Sequence, residues 1–326
     1  MSSVLTPAPP RAGDPASARR GLAFLTVTGL TWGTTGAAAD LVYRWSDLGP
    51  AAVSFWRHLG GLVLLLAFTG ALRAFGNRRN PLRAKTRAPR STRPLRRRVP
   101  LLVGTGLGMA VFQTAYFAAV ESTGVAAATL LTLGSGPILT AIGGRMLLGE
   151  RLGRGGALAV AGALAGLAVL VGTNEPGVIA PAGAALSLLS AAGYATVTLL
   201  GRATGRRGDG EEPFTLTMWS FGIGAAALFV PALLEGLVPT EGDVIKAFAL
   251  VAYLAAFTTA LAYPLYFAGA ARVRATTASV MMLIEPATAA MLAVAFLGEP
   301  LTLATVAGSL VLLGSIATLA AAESRR

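Results

Sequence analysis

Residues 129–152, TLLTLGSGPILTAIGGRMLLGERL, and residues 279–301, SVMMLIEPATAAMLAVAFLGEPL, share one layout at an offset of 149. In each, a proline (Pro137, Pro286) sits within an apolar run, and a Gly-Glu pair (Gly149-Glu150, Gly298-Glu299) ends it. Upstream, QTAYF at Gln113–Phe117 matches YPLYF at Tyr263–Phe267 at an offset of 150, one residue having slipped in the intervening loop. Both halves therefore run through an aromatic helix, a short loop, a proline helix, Gly-Glu and a final helix of small residues. Apolar runs of about 20 residues are long enough to cross some 30 Å of hydrocarbon as helix, so the repeated unit reads as a set of membrane helices.

Composition agrees. Of 326 residues 54% are hydrophobic and 13% charged, with a mean hydropathy of +0.65, whereas a soluble domain is about 25% charged. The net charge of +12 does not imply a nucleic-acid partner, because the basic residues lie between apolar spans rather than along one face. With no cysteine, disulfides and thiolate chemistry are excluded. Residues 1–20, rich in Pro, Ala and Ser, read as a disordered tail. The apolar run after Arg19-Arg20 is long and is followed by many others, so it is expected to stay as the first membrane helix rather than be cleaved as a signal.

Apolar runs predict spans at 21–43, 49–72, 99–120, 125–147, 155–172, 179–201, 214–234, 245–270, 275–297 and 302–321. The expected fold is an all-α integral membrane protein of ten helices in two halves, 21–172 and 179–321, followed by a short tail at 322–326. Five spans per half is an odd number, so the second half enters the membrane upside down relative to the first, the inverted repeat of secondary transporters. With the N-terminus inside, only Arg44 and Lys246 among 27 Lys and Arg fall outside, Arg57 lies within a span, and the rest are cytoplasmic. Positively charged short loops stay inside, which places both termini in the cytoplasm. The basic stretch Phe75–Arg98 reads as a topology-fixing loop, or as a site for anionic lipid headgroups.

Several marks together resemble the EamA-like branch of the drug/metabolite transporter superfamily. They are TWGTT at Thr31–Thr35, FWRHLGG at Phe55–Gly61, SGP with LGERL, and LAYPLYF followed by IEP with LGEPL. The resemblance covers residues 21–321. It implies ten helices, alternating access and transport of small metabolites, often outward, without supplying a substrate.

Arg57 lies about eight residues, roughly 12 Å, into the second span. An arginine near a helix centre costs about 2.5–3.5 kcal/mol on insertion scales, so it is expected to face a cavity or a partner. Glu285, mid-span beside Pro286, meets the same constraint. An Arg57–Glu285 pair, proton coupling through Glu285, and capture of a substrate carboxylate by Arg57 are the functional readings, beside a structural one in which Arg57 caps carbonyls at a helix packing site and Glu285 serves local helix geometry. Gln113, Tyr116 and Phe117 fall at i, i+3 and i+4 and recur as Tyr263, Tyr266 and Phe267, a stripe suited to a cavity for an amphiphilic solute or to helix packing. Trp32, Thr129 and Tyr194 are further candidates for the cavity wall. Pro137 and Pro286 each remove an amide donor, which would leave the carbonyls of Leu133 and Met282 unpaired at a hinge or in the polar lining, so Met282 joins the candidates. His58, the only histidine, points about 100° away from Arg57 and reads as an interfacial or packing residue, with a proton relay as the alternative. Gly104 with Gly108, and Gly162 with Gly166, allow close helix contact, and Glu150 and Glu299 suit capping or gating at opposite membrane edges.

The expected partners are a small-molecule substrate and the lipid bilayer, with no cofactor and no metal. An intramembrane enzyme would need chemistry that one histidine, two lysines (Lys85, Lys246) and no HExxH hardly supply. No GxxxxGK[ST] segment for ATP is present. A channel or a non-transporting scaffold is the alternative to a carrier.

Overall fold

Prolines open several of the helices. Pro15, Pro50, Pro181 and Pro213 each take the first position of a helix, where the missing N–H is not needed and φ is already helical. The computed structural model describes residues 15–79, 95–149, 180–206, 213–270 and 284–299, with single positions within 158–165, 272–282 and 303–314. Its helices are α1 (Pro15–Gly33), α2 (Thr35–Trp45), α3 (Pro50–Arg79), α4 (Leu95–Thr123), α5 (Val125–Leu148), α6 (Pro181–Arg206), α7 (Pro213–Glu235), α8 (Val244–Ala255), a π-helical turn (Ala256–Leu261), α9 (Ala262–Ala270) and α10 (Ile284–Leu297). Among the described residues, six segments are long and apolar enough to cross a membrane: Pro50–Ala71, Arg98–Thr123, Val125–Leu148, Pro181–Ala203, Phe214–Glu235 and Val244–Ala270. The protein is a multi-pass membrane protein.

The expected spans at 49–72, 99–120, 125–147, 179–201, 214–234 and 245–270 coincide with these helices, whereas 155–172 and 302–321 lie mostly outside the described residues. Three expectations change. Residues 15–20, expected in a disordered tail, are the first turns of α1. The span at 21–43 is broken at Thr34, whose hydroxyl donates to the Thr31 carbonyl (2.7 Å) and competes with the helical ladder. In the span at 275–297, α10 begins only at Ile284, so Pro286 lies in a first turn, where no amide donor is lost. The Met282 carbonyl is accordingly not orphaned, since it accepts from the Glu285 amide at 3.1 Å. Pro137, by contrast, lies inside the continuous helix α5.

Polarity is distributed as lipid requires. Leu64, Leu66, Phe68, Leu189, Val230 and Leu233 are exposed, while Thr28, Ser54, Arg57, His58, Gln113 and Ser190 are buried. Lipid adds no hydrophobic force between helices, so close backbone contact and polar bonds hold the bundle. Ser190 donates to the Phe112 carbonyl (2.7 Å) between α6 and α4. At the same crossing a Cβ on Gly193 would fall 2.8 Å from both the Gly108 carbonyl oxygen and the Phe112 nitrogen, and one on Gly104 would fall 2.8 Å from Leu200. Gly104 and Gly108 thus serve internal packing, and Gly162 with Gly166 lies largely outside the described residues.

One end of the bundle is laced together by its short connections. Asp243 N–H donates to the Trp45 carbonyl (2.8 Å), and the Trp56 indole to the Leu237 carbonyl (2.7 Å). Glu235 Oε2 accepts the amides of Ala51 (2.8 Å) and Ala52 (3.0 Å) at the start of α3. Glu299 accepts those of Val125 (2.5 Å) and Ala126 (3.0 Å) at the start of α5, just after Gly124 at φ +84°. Each carboxylate satisfies orphan donors and meets the positive end of a helix dipole. Glu299 thus caps a helix of the other half. Asp47 accepts from the Thr240 hydroxyl (2.5 Å) and the Glu241 amide (3.2 Å), and these donors hold its carboxyl below the usual range.

Chain directions alternate about this end. α2, α4, α7 and α10 finish there, and α3, α5, α6 and α8 start there. Arg145, Arg202 and Arg272 consequently lie toward the opposite end.

Two outcomes follow from this packing and lacing. Gly193→Ala meets backbone atoms that cannot move aside and should lose about 1–3 kcal/mol, while Gly70→Ala, with open space around its Cβ, should be neutral or slightly stabilising; thermal unfolding in detergent compares them. Because its pKa is lowered on folding, the Asp47 tether is in place above the ordinary Asp value of about 3.9 and is released only as pH falls through the lower, folded value. Hydrogen exchange should find the Thr240 and Glu241 amides protected down through that range, and unprotected at every pH in Asp47→Ala.

Candidate functional site

Pro264 shapes the centre of the molecule. It has no N–H for the Ala260 carbonyl, and its ring would clash with that carbonyl in a regular helix. The chain relieves this by widening into the π-helical turn Ala256–Leu261 just before it. The amide of Ala262, which would serve Thr258 in an α-helix, goes instead to Phe257 and Thr259. The Thr258 carbonyl is turned toward two side chains: the Trp32 indole donates to it at 2.9 Å and Arg57 Nη2 at 3.5 Å.

Arg57 is 2% exposed. Its Nε donates to Thr259 Oγ1 (3.1 Å) and its Nη1 to Gln113 Oε1 (2.5 Å), while the guanidinium carbon lies 5.6 Å from the centre of the buried Phe117 ring. No ion pair joins Arg57 to Glu285 among the described residues. Glu285 is joined to this neighbourhood through α1, where Gly33, next to Trp32, abuts its backbone. Glu285 stands in the first turn of α10, partly accessible. α1 presses against that turn: a Cβ on Gly33 would lie 2.8 Å from the Glu285 carbonyl oxygen.

Aromatic rings close the remaining side. Trp32 meets Tyr263 at 5.1 Å and Tyr266 at 5.3 Å between centroids, the first pair edge to face. The Tyr116 hydroxyl bonds Thr129 Oγ1 at 2.8 Å, tying α4 to α5. Tyr194 is more peripheral, a residue 44% exposed whose ring lies 5.7 Å from that of Phe112 and beside Gly136. Met282 stands in the turn before α10 and Pro137 within α5; neither makes a side-chain bond to the Arg57 cluster. His58 faces α7 instead, its Nδ1 2.7 Å from the Ser54 carbonyl and its ring against Phe221 and Gly224.

Trp32, Arg57, Gln113, Tyr263, Tyr266 and Glu285 are thus brought together. Thr258, Thr259 and Phe117 join them. Sequence pattern does not single out the two threonines, and the signal that marks them is Pro264, five and six residues further on.

The profile of the EamA-like transporter family matches residues 19–172 and again 181–321. The chain is 28% identical over 309 residues to the uncharacterized transporter YwfM of Bacillus subtilis, covering 93% of this chain and 95% of that one. It is 27% identical over 321 residues to the uncharacterized inner membrane transporter YicL of Salmonella typhimurium, covering 95% and 98% respectively. A crystal structure of another protein has the same fold at a TM-score of 0.60 and 20% identity, over 94% of this chain and 98% of that one. A membrane bundle with an interior polar cluster and two successive matches to one profile has a single assignment: the chain belongs to the EamA-like transporter family.

Proposed function

We propose that the chain is a secondary transporter, ten helices in two inverted halves at 21–172 and 179–321, that moves a small amphiphilic metabolite such as an amino acid, a related compound or a drug across the cytoplasmic membrane by alternating access. One observation carries this reading. The interior cluster draws Trp32, Arg57 and Gln113 from the first matched region and Thr258, Thr259, Tyr263, Tyr266 and Glu285 from the second, and inverted-repeat carriers bind where their halves meet. Support for the inversion comes from chain direction: α4 ends at the laced end, where its repeat counterpart α8–α9 begins, and α5 begins where α10 ends. The laced end is external, the termini are cytoplasmic, and transport runs outward, the direction that the family resemblance implies.

The Glu285 carboxylate, without an ion-pair partner among the described residues, couples the cycle to protons. Purified protein in proteoliposomes should exchange labelled solute in a saturable way, and leak without saturation would instead make it a channel. An imposed pH gradient should drive net uptake by the wild type and not by Glu285→Gln, which should keep exchange; an unchanged gradient response in Glu285→Gln removes the coupling.

Orientation has its own test, because the chain has no cysteine. A single cysteine in place of Lys246 should react with an impermeant maleimide in intact cells, and one in place of Arg145 only after permeabilisation. The reverse pattern would invert the assignment.

A further inference from the structure

The buried guanidinium has donors left over. Arginine carries five N–H groups, and the three bonds to Thr259, Gln113 and the Thr258 carbonyl leave two unspent. All three acceptors are neutral. No carboxylate among the described residues lies within ion-pair distance of Arg57, although removing one partner from a buried charge pair ordinarily costs several kcal/mol. The cation is therefore oriented without being neutralised. Gln113 and the two threonines fix the plane of the fork, and Phe117 backs its face. The Trp32 indole shares the Thr258 carbonyl with Arg57, and the rings of Tyr263 and Tyr266 pack against Trp32.

We propose that Arg57 is the receptor for a carboxylate on the transported molecule, with Thr259 and Gln113 as its positioning residues and Trp32, Tyr263 and Tyr266 as the wall for the apolar part. The substrate class is a small organic acid or zwitterion carrying a hydrophobic group. A planar fork with two free N–H groups matches a carboxylate in bidentate geometry. An uncharged amide on the same skeleton offers one oxygen and no charge. Glu285, whose backbone abuts Gly33 beside Trp32, adds a selection of its own, since a zwitterion would set its ammonium toward that carboxylate. This assignment rests on the transporter reading and narrows it.

The test uses the full chain in lipid nanodiscs, with binding followed by thermal stabilisation and by Trp fluorescence. The probes are acid, amide and amine sets on common skeletons: 3-phenylpropionate, 3-phenylpropionamide and 3-phenylpropylamine, the corresponding hexanoyl set, and phenylalanine for the zwitterion. At least one acid or zwitterion should bind saturably and its amide about tenfold or more weakly. Thr259→Val should weaken acid binding and leave amide binding unchanged, and Thr259→Ser should restore it; a merely structural threonine would shift both ligands alike. Arg57→Lys, which keeps the charge and loses the fork, should reduce the acid–amide difference, and the Thr259 pair carries the test if that variant fails to fold. Equal binding of acid and amide, a preference for the amine, or no binding by any acid or zwitterion in the panel overturns the assignment. Saturable counterflow of an amine or a neutral solute in proteoliposomes would then leave the transporter reading standing while this one falls, whereas absence of any saturable exchange would remove the transporter reading itself.

Discussion

A guanidinium roughly 10 Å inside a helix that starts at the membrane edge has nowhere to shed its charge, and the centre of the molecule is organised around that constraint. Lipid supplies no hydrogen bonds, so the bonds the guanidinium makes go to acceptors on other helices. Gln113 comes from α4, Thr259 and the Thr258 carbonyl from the π-helical turn, and the indole of Trp32 from α1 shares that carbonyl. Four elements are held in register by one polar side chain and the groups it requires. In the assignment proposed above, the bonds that stabilise the crossing also prepare a binding surface.

The ends of the helices meet the same demand with carboxylates. Glu235 and Glu299 each serve two backbone amides at a helix start, and both reach across from another part of the chain. The Gly-Glu pair at 298–299 therefore has a physical meaning: Gly298, at φ +72°, turns the chain after α10, and Glu299 then meets the N-terminus of α5. A cap of this kind is specific in position and still reversible, because water can replace the carboxylate at the membrane edge. Such a join suits a protein whose halves move against each other in the cycle proposed above.

Much of this architecture is legible from residues alone, because its determinants are local and periodic. Span length, loop charge and the repeated proline and Gly-Glu layout depend on nearest neighbours along the chain. The cluster of Arg57, Gln113, Tyr263 and Trp32 is legible for a related reason, since polar and aromatic groups in an apolar run need partners. Thr258 and Thr259 escape notice because threonine is unremarkable in a membrane helix and their role depends on where a carbonyl points. Pro286 misleads in the opposite sense: its match to Pro137 suggests a mid-helix defect, yet α10 starts two residues before it and no donor is lost.

The π-helical turn carries a consequence for how the site is encoded. One additional residue within a turn advances everything beyond it by about 100° around the axis. Tyr263, Tyr266 and Phe267 all lie beyond it, on a helix whose phase is set there. Their approach to Trp32, at 5.1 and 5.3 Å for the two tyrosines, is thus a property of residue count between Ala256 and Leu261 as much as of residue identity. Removing a single alanine from that stretch would leave hydropathy almost unchanged and the span long enough to cross, and would turn the two tyrosines away from Trp32. Relatives with a different spacing there would present a different wall from the same residues, a route to altered selectivity that needs no substitution in the site.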